Sequence, residues 1–150
     1  MQEVEDVAKG CVCGNLRQTS RAITQFYDKL LAPSGITVTQ FALLRTISKG
    51  GSSTISEISK EMYIDRTTLT RSLELLEKQD LIHFEPSIDR RKRVVTITSR
   101  GKAQMNKAFP LWEKAQSVIM EKFGKGNWRK IKIGLSEISK IAMLNSVSRL

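Results

Sequence analysis

Arg90, Arg91, Lys92 and Arg93 stand side by side in the chain. Four adjacent cations do one kind of chemistry well, which is to neutralise a polyanion and release its counterions. Without an anionic partner they only repel one another, so chance surface charge is the weaker account. A second set, Arg66, Thr67, Thr68, Thr70 and Arg71, mixes hydroxyls with guanidinium groups. Threonine can meet a phosphate or a thymine methyl, and arginine can bind guanine O6 and N7 together. Both sets point to nucleic acid. Candidates for other chemistry are sparse. His83 is the only histidine, and no serine, cysteine or carboxylate pattern around it makes a triad, so it reads as structural and the chain as a non-enzyme without cofactor. Cys11 and Cys13 would point roughly 200° apart on a helix and match no paired-cysteine metal motif, so no metal site is expected.

The elements that must position these residues can be read from periodicity. The absence of proline from about 7 to 31, with Leu16, Ile23, Phe26 and Leu30 at helical spacings, predicts a first helix closed by Pro33 and Gly35. Thr37 with Gln40 forms a capping box for a second, ended by Lys49, Gly50 and Gly51. Thr54 with Glu57 opens a third, short helix carrying Ile55, Ile58 and Met62. Asp65 is a good N-cap for a fourth, running to about Lys78 with Leu69, Leu73 and Leu76 as its buried stripe and Asp80 at the terminating position. Only Tyr63 and Ile64 separate the third helix from that cap.

The period then changes to alternation. Ile82 and Phe84, then Val95 and Ile97, predict a β-hairpin whose loop from Ser87 to Lys92 is a basic tip. Ser99 is expected to cap a fifth helix to about Phe123, bent at Pro110. After Gly124 and Gly126, Asn127 is expected to cap a sixth, on which Trp128, Ile131, Leu135, Ile138 and Ala142 fall at steps of three and four. Such a seam requires a partner helix.

Composition agrees with a globular protein. The chain has 150 residues, 40% of them hydrophobic and 27% charged, enough to bury about 70% of its unfolded surface. The acidic start, Glu3, Glu5 and Asp6, is unlike a basic leader, and no apolar run is long enough to span a bilayer, so a cytoplasmic protein without membrane contact is expected. The net charge is +10. Successive thirds carry +2, +1 and +7, so most of the excess is C-terminal, where lysines on a solvated helix face aid solubility.

Two short, tightly joined helices followed by a basic hairpin is the order of a winged helix-turn-helix. On the fourth helix the face opposite the leucines presents Thr67, Arg71, Glu74 and Lys78, with Thr68 and Thr70 on the flanks and Arg66 near the N-terminus. The expected fold is mainly α with a small β-hairpin. Residues 37–98 would form the winged domain, and residues 1–36 and 99–150 a helical dimerisation region.

Several stretches resemble the MarR family of bacterial and archaeal transcription regulators: Gly35 to Leu44, Asp65 to Arg71 with Leu76 and Glu77, Leu81 with Ile82, and above all Asp89 to Gly101. The resemblance implies a homodimer with interlocked terminal helices that binds double-stranded DNA at an inverted-repeat operator, usually as a repressor. It also implies that Asp89 braces the wing, that Arg91 inserts into a groove, and that Arg71 and the neighbouring threonines sit in the major groove. Two positions depart from the family pattern: Tyr63 and Asp80 stand where many members have glycine. An alternative from charge alone is an architectural protein that binds any duplex.

The run from Cys13 to Thr37 also resembles the organic-hydroperoxide-sensing OhrR branch, in which an oxidisable cysteine near the start of the first helix is hydrogen-bonded by tyrosines. Cys13 and Tyr27 fall on matching positions, whereas Val38 replaces a second tyrosine. A helical cysteine is more often a small buried core residue than a sensor. The wider family implies instead a small aromatic acid whose carboxylate Arg17 or Arg21 would pair, although arginines of this kind are more often simply solvated or paired at the dimer surface.

Overall fold

The computed structural model describes residues 10–50, 52–86 and 93–147. The elements in order are α1 (Val12–Leu31), a 3₁₀ turn (Ala32–Ser34), α2 (Val38–Lys49), β1 (Ser53–Thr54), α3 (Ile55–Met62), α4 (Arg66–Lys78), β2 (Ile82–Phe84), β3 (Val94–Ile97), α5 (Ser99–Phe123) and α6 (Lys125–Val147). No single helix among the described residues is long and apolar enough to cross a membrane. The chain divides into two compact units, residues 1–112 and 113–150.

In the first unit both expected capping boxes form. The Thr37 hydroxyl accepts the Gln40 N–H at 3.2 Å while the Gln40 amide oxygen accepts the Thr37 N–H at 3.0 Å. Thr54 and Glu57 make the same exchange at 3.2 and 2.7 Å. The Thr54 N–H and hydroxyl, donating to Glu57, hold its carboxyl below the usual range. With the termini of α2 and α3 satisfied, their apolar faces can be buried without orphaned donors. The core joins Phe41, Leu44 and Ile47 of α2, Ile55 and Ile58 of α3, Leu69, Leu73 and Leu76 of α4, and Ile82, Val95 and Ile97 of the sheet. Each large buried aliphatic adds about 2 kcal/mol of transfer free energy.

The sheet is larger than the expected hairpin. It has three antiparallel strands in the order β1-β3-β2, with Thr54 opposite Val94, and Ile82 opposite Ile97. β1 has two residues, too few to show an alternating period. Two cap assignments also change. The Thr98 hydroxyl, not Ser99, accepts the Gly101 N–H at 2.9 Å, and it donates to the Asp80 carbonyl at 2.7 Å, tying the start of α5 to the end of α4. Gly101 sits there because the chains touch: a Cβ at that position would lie 2.0 Å from the Leu81 carbonyl oxygen. α5 runs unbroken through Pro110. Its first half packs on α2 through Trp112 against Phe41, with ring centroids 6.0 Å apart.

In the second unit, Gly124 (φ 87°) alone ends α5, and α6 begins at once. Asn127 therefore lies inside α6 rather than capping it, and its amide donates to the Phe123 carbonyl at 2.9 Å, closing the end of α5. Trp128, Ile131, Leu135 and Ile138 are each at least 36% exposed in the single chain.

Candidate nucleic-acid interface

The candidate recognition surface lies on α4. Leu69, Leu73 and Leu76 are fully buried, which fixes the rotation of the helix and turns Thr67, Arg71, Glu74 and Lys78 outward. Arg66, Thr67, Thr70, Arg71 and Glu74 line one shallow open concavity. The Asp65 carboxylate accepts the Thr68 N–H at 2.9 Å. The Thr68 hydroxyl, with that N–H behind it, holds Asp65 below the ordinary carboxylate range. Thr68 therefore serves the cap, and the Thr70 hydroxyl donates to the Arg66 carbonyl at 2.7 Å, leaving its oxygen lone pairs to accept. Thr67, Arg66 and Arg71 remain as outward-facing side chains at this end of the helix.

Asp89, Arg90, Arg91 and Lys92, the wing-tip residues, lie outside the described residues. The base of the wing is described. Arg93 places its guanidinium 4.1 Å from the centroid of the Phe84 ring, so its charge rests on an aromatic face across the hairpin. Its carbonyl accepts the Ile55 N–H at 3.3 Å, joining the wing to α3. His83 contacts Glu85 at 2.9 Å and Thr96 at 2.9 Å, an exposed cross-strand cluster consistent with its structural reading.

The residues expected to sense a signal are all on α1, and one chain does not bring them together. Cys13 is exposed and Tyr27 is buried, and fourteen residues of helix separate them by about 21 Å. Burial pushes the Tyr27 phenol above its ordinary value. Arg17 and Arg21 line an open surface with Leu16 and Ser20. Cys11, for which no role was expected, is the N-cap of α1: its Sγ accepts the Gly14 N–H at 3.4 Å. A cysteine is an uncommon cap, so residue type gave no signal for it. The Val38 N–H donates to Asp28 Oδ1 at 2.7 Å, so a carboxylate on α1 caps α2.

A short helix pair, an outward basic and hydroxylated face on its second member, and a three-stranded wing define a winged helix-turn-helix protein of the DNA-binding class. The MarR family model matches residues 36–93. The organic hydroperoxide resistance transcriptional regulator of Bacillus subtilis is 31% identical over 101 residues, covering 67% of this chain and 69% of that protein. An uncharacterised HTH-type regulator of the same organism, YhbI, is 26% identical over 132 residues, 85% of this chain and 86% of its own. Among solved structures, the Mycobacterium tuberculosis transcriptional regulator MosR in complex with DNA superposes with a TM-score of 0.81 at 34% identity, covering 89% of this chain and 97% of that one. The chain belongs to the MarR family of transcription regulators.

Proposed function

We propose that two copies of the chain form a symmetric dimer that binds an inverted-repeat operator in double-stranded DNA as a cytoplasmic repressor and leaves it on a chemical signal. The observation that carries this reading is the outward face of α4, where Arg66, Thr67, Thr70 and Arg71 share one surface while the leucines behind them are sealed in the core. A dimer sets two such helices about 34 Å apart, one turn of duplex. The helices flanking the winged domain, within residues 1–36 and 99–150, supply the dimer contacts, as the open apolar seam of α6 requires. The wing arginines, Arg91 foremost with Asp89 bracing it and Arg90 and Lys92 beside it, enter the adjacent groove. Arg93 acts from the base, holding the hairpin on Phe84.

The solved MosR complex contains DNA, which supports a DNA ligand for this relative of it. Selection of bound sequences from a random duplex pool tests the reading. It predicts an inverted repeat bound at least about a thousandfold more tightly than unrelated duplex at physiological salt. Equal affinity for all duplexes, with a steep salt slope, would establish the architectural alternative.

For the signal, exposure of the Cys13 thiol and the hydroperoxide-linked name of a 31% identical relative favour an organic hydroperoxide over a small aromatic acid paired with Arg17 or Arg21. The thiolate would take the terminal peroxide oxygen, giving sulfenic acid and releasing the alcohol. Tyr27 would then act on the cysteine of the other chain, since its own is too distant. Cys13→Ser should abolish peroxide-driven release from DNA, and a variant that still responds would exclude this thiol.

A further inference from the structure

We infer that Tyr63 is a DNA-backbone contact whose phenol donates a hydrogen bond to a phosphate beside the groove that α4 enters, an inference that rests on the DNA-binding reading above. Two non-glycine residues bracket α4 in the left-handed conformation, Tyr63 (φ 52°) before it and Asp80 (φ 58°) after it. Asp80 has reasons within the fold. Aspartate tolerates this conformation, its carbonyl accepts the Thr98 hydroxyl at 2.7 Å, and the Leu81 N–H beside it closes the helix on Leu76 at 2.9 Å. Tyr63 has none. A bulky side chain disfavours the conformation, and the turn is closed by other groups: the Tyr63 and Ile64 N–H groups both donate to the Ser59 carbonyl, and the Ser59 hydroxyl donates to the Ile64 carbonyl at 2.7 Å.

The Tyr63 side chain itself is 73% exposed, as much as any large hydrophobic residue of the described chain. The fold needs the left-handed turn but not a tyrosine in it: a glycine would serve it better, and a bulky exposed residue at such a position is a functional signal. Its place says which function. It stands two residues before the Asp65 cap, at the end of α4 that carries Arg66 and Thr67, the end that reaches base edges in helix-turn-helix complexes. The turn leading into that end passes the phosphate ridge, and tyrosine offers a flat apolar ring with one hydroxyl donor, a common pairing for sugar and phosphate.

Two substitutions in the full-length chain separate this role from a structural one. Binding is measured by fluorescence anisotropy against the selected operator and a random duplex over a range of salt, with thermal melting alongside. Tyr63→Phe keeps the backbone constraint and should leave melting unchanged while weakening both duplexes about fivefold, the worth of one hydrogen bond. The specificity ratio should hold because phosphates carry no base identity, and the salt slope should hold because a neutral donor displaces no counterion. Tyr63→Gly should melt about 2 °C higher and bind at least as weakly as the phenylalanine variant. Unchanged binding by Tyr63→Phe, or a changed specificity ratio, would overturn the assignment. Arg71→Ala keeps the two failures apart: if it loses operator affinity and Tyr63→Phe does not, only this inference fails, and if the unaltered protein binds neither duplex, the DNA-binding reading fails with it.

Discussion

α4 and α6 are both amphipathic helices with a stripe of large aliphatics, yet one stripe is closed and the other open. Leu69, Leu73 and Leu76 on α4 are wholly buried, whereas Ile131, Leu135 and Ile138 on α6 are 36–44% exposed. Ile133, Ile141 and Leu144 add further exposed apolar surface on α6. An aliphatic stripe left open in this way is uncommon on a protein that works as a single copy. The winged domain thus carries its own core, while the stripe of α6 stays open in the single chain. Sequence periodicity alone cannot show this, because a seam that packs within one chain and a seam that packs between two look the same.

The contrast can be broken first at its most constrained point. Gly101→Ala drives a Cβ against the Leu81 backbone, which no side-chain rotation relieves, and should cost more than about 3 kcal/mol in denaturant titrations. Leu73→Ala on the closed stripe should cost about 3 kcal/mol through the cavity it leaves. Ile138→Glu on the open stripe should behave otherwise: sedimentation should show dimer association weakened at least tenfold in favour of monomer, with the winged domain still folded by circular dichroism. Arg71→Ala should leave folding and dimerisation intact and cost about 1–3 kcal/mol of operator binding, read by gel-shift titration. Least of all, acid should fray α4. The Asp65 carboxyl is held below its unfolded value, so its contribution is present above the unfolded value and lost as pH falls through the folded one. Asp65→Asn keeps a capping oxygen and should remove that part of the acid dependence of melting.

Local signals predicted local structure well. The spacing of Thr37 to Gln40 and of Thr54 to Glu57 located two helix starts, because a capping box is chemistry within four residues. The leucine spacing on α4 indicated its outward face, including the five residues that share one concavity. What was not legible depends on contacts distant in sequence. β1 exists because Ser53 and Thr54 meet Val95 and Val94. Thr98 rather than Ser99 caps α5 because its hydroxyl also bridges to Asp80. Arg93 stood among four equivalent cations until Phe84 set it apart. Asn127 looked like a cap, but Gly124 ended the preceding helix so tightly that it fell inside the next one.

In the proposed assembly two chains present two copies of the α4 face to one duplex. The most direct measurement is the mass of the complex with a selected operator by sedimentation, repeated on duplexes whose half-sites are moved apart by half a helical turn. Two chains per duplex are expected, with loss of specific affinity on the altered spacing, since the second α4 would then face the wrong side of the helix. One chain per duplex, or affinity indifferent to the spacing, would contradict it.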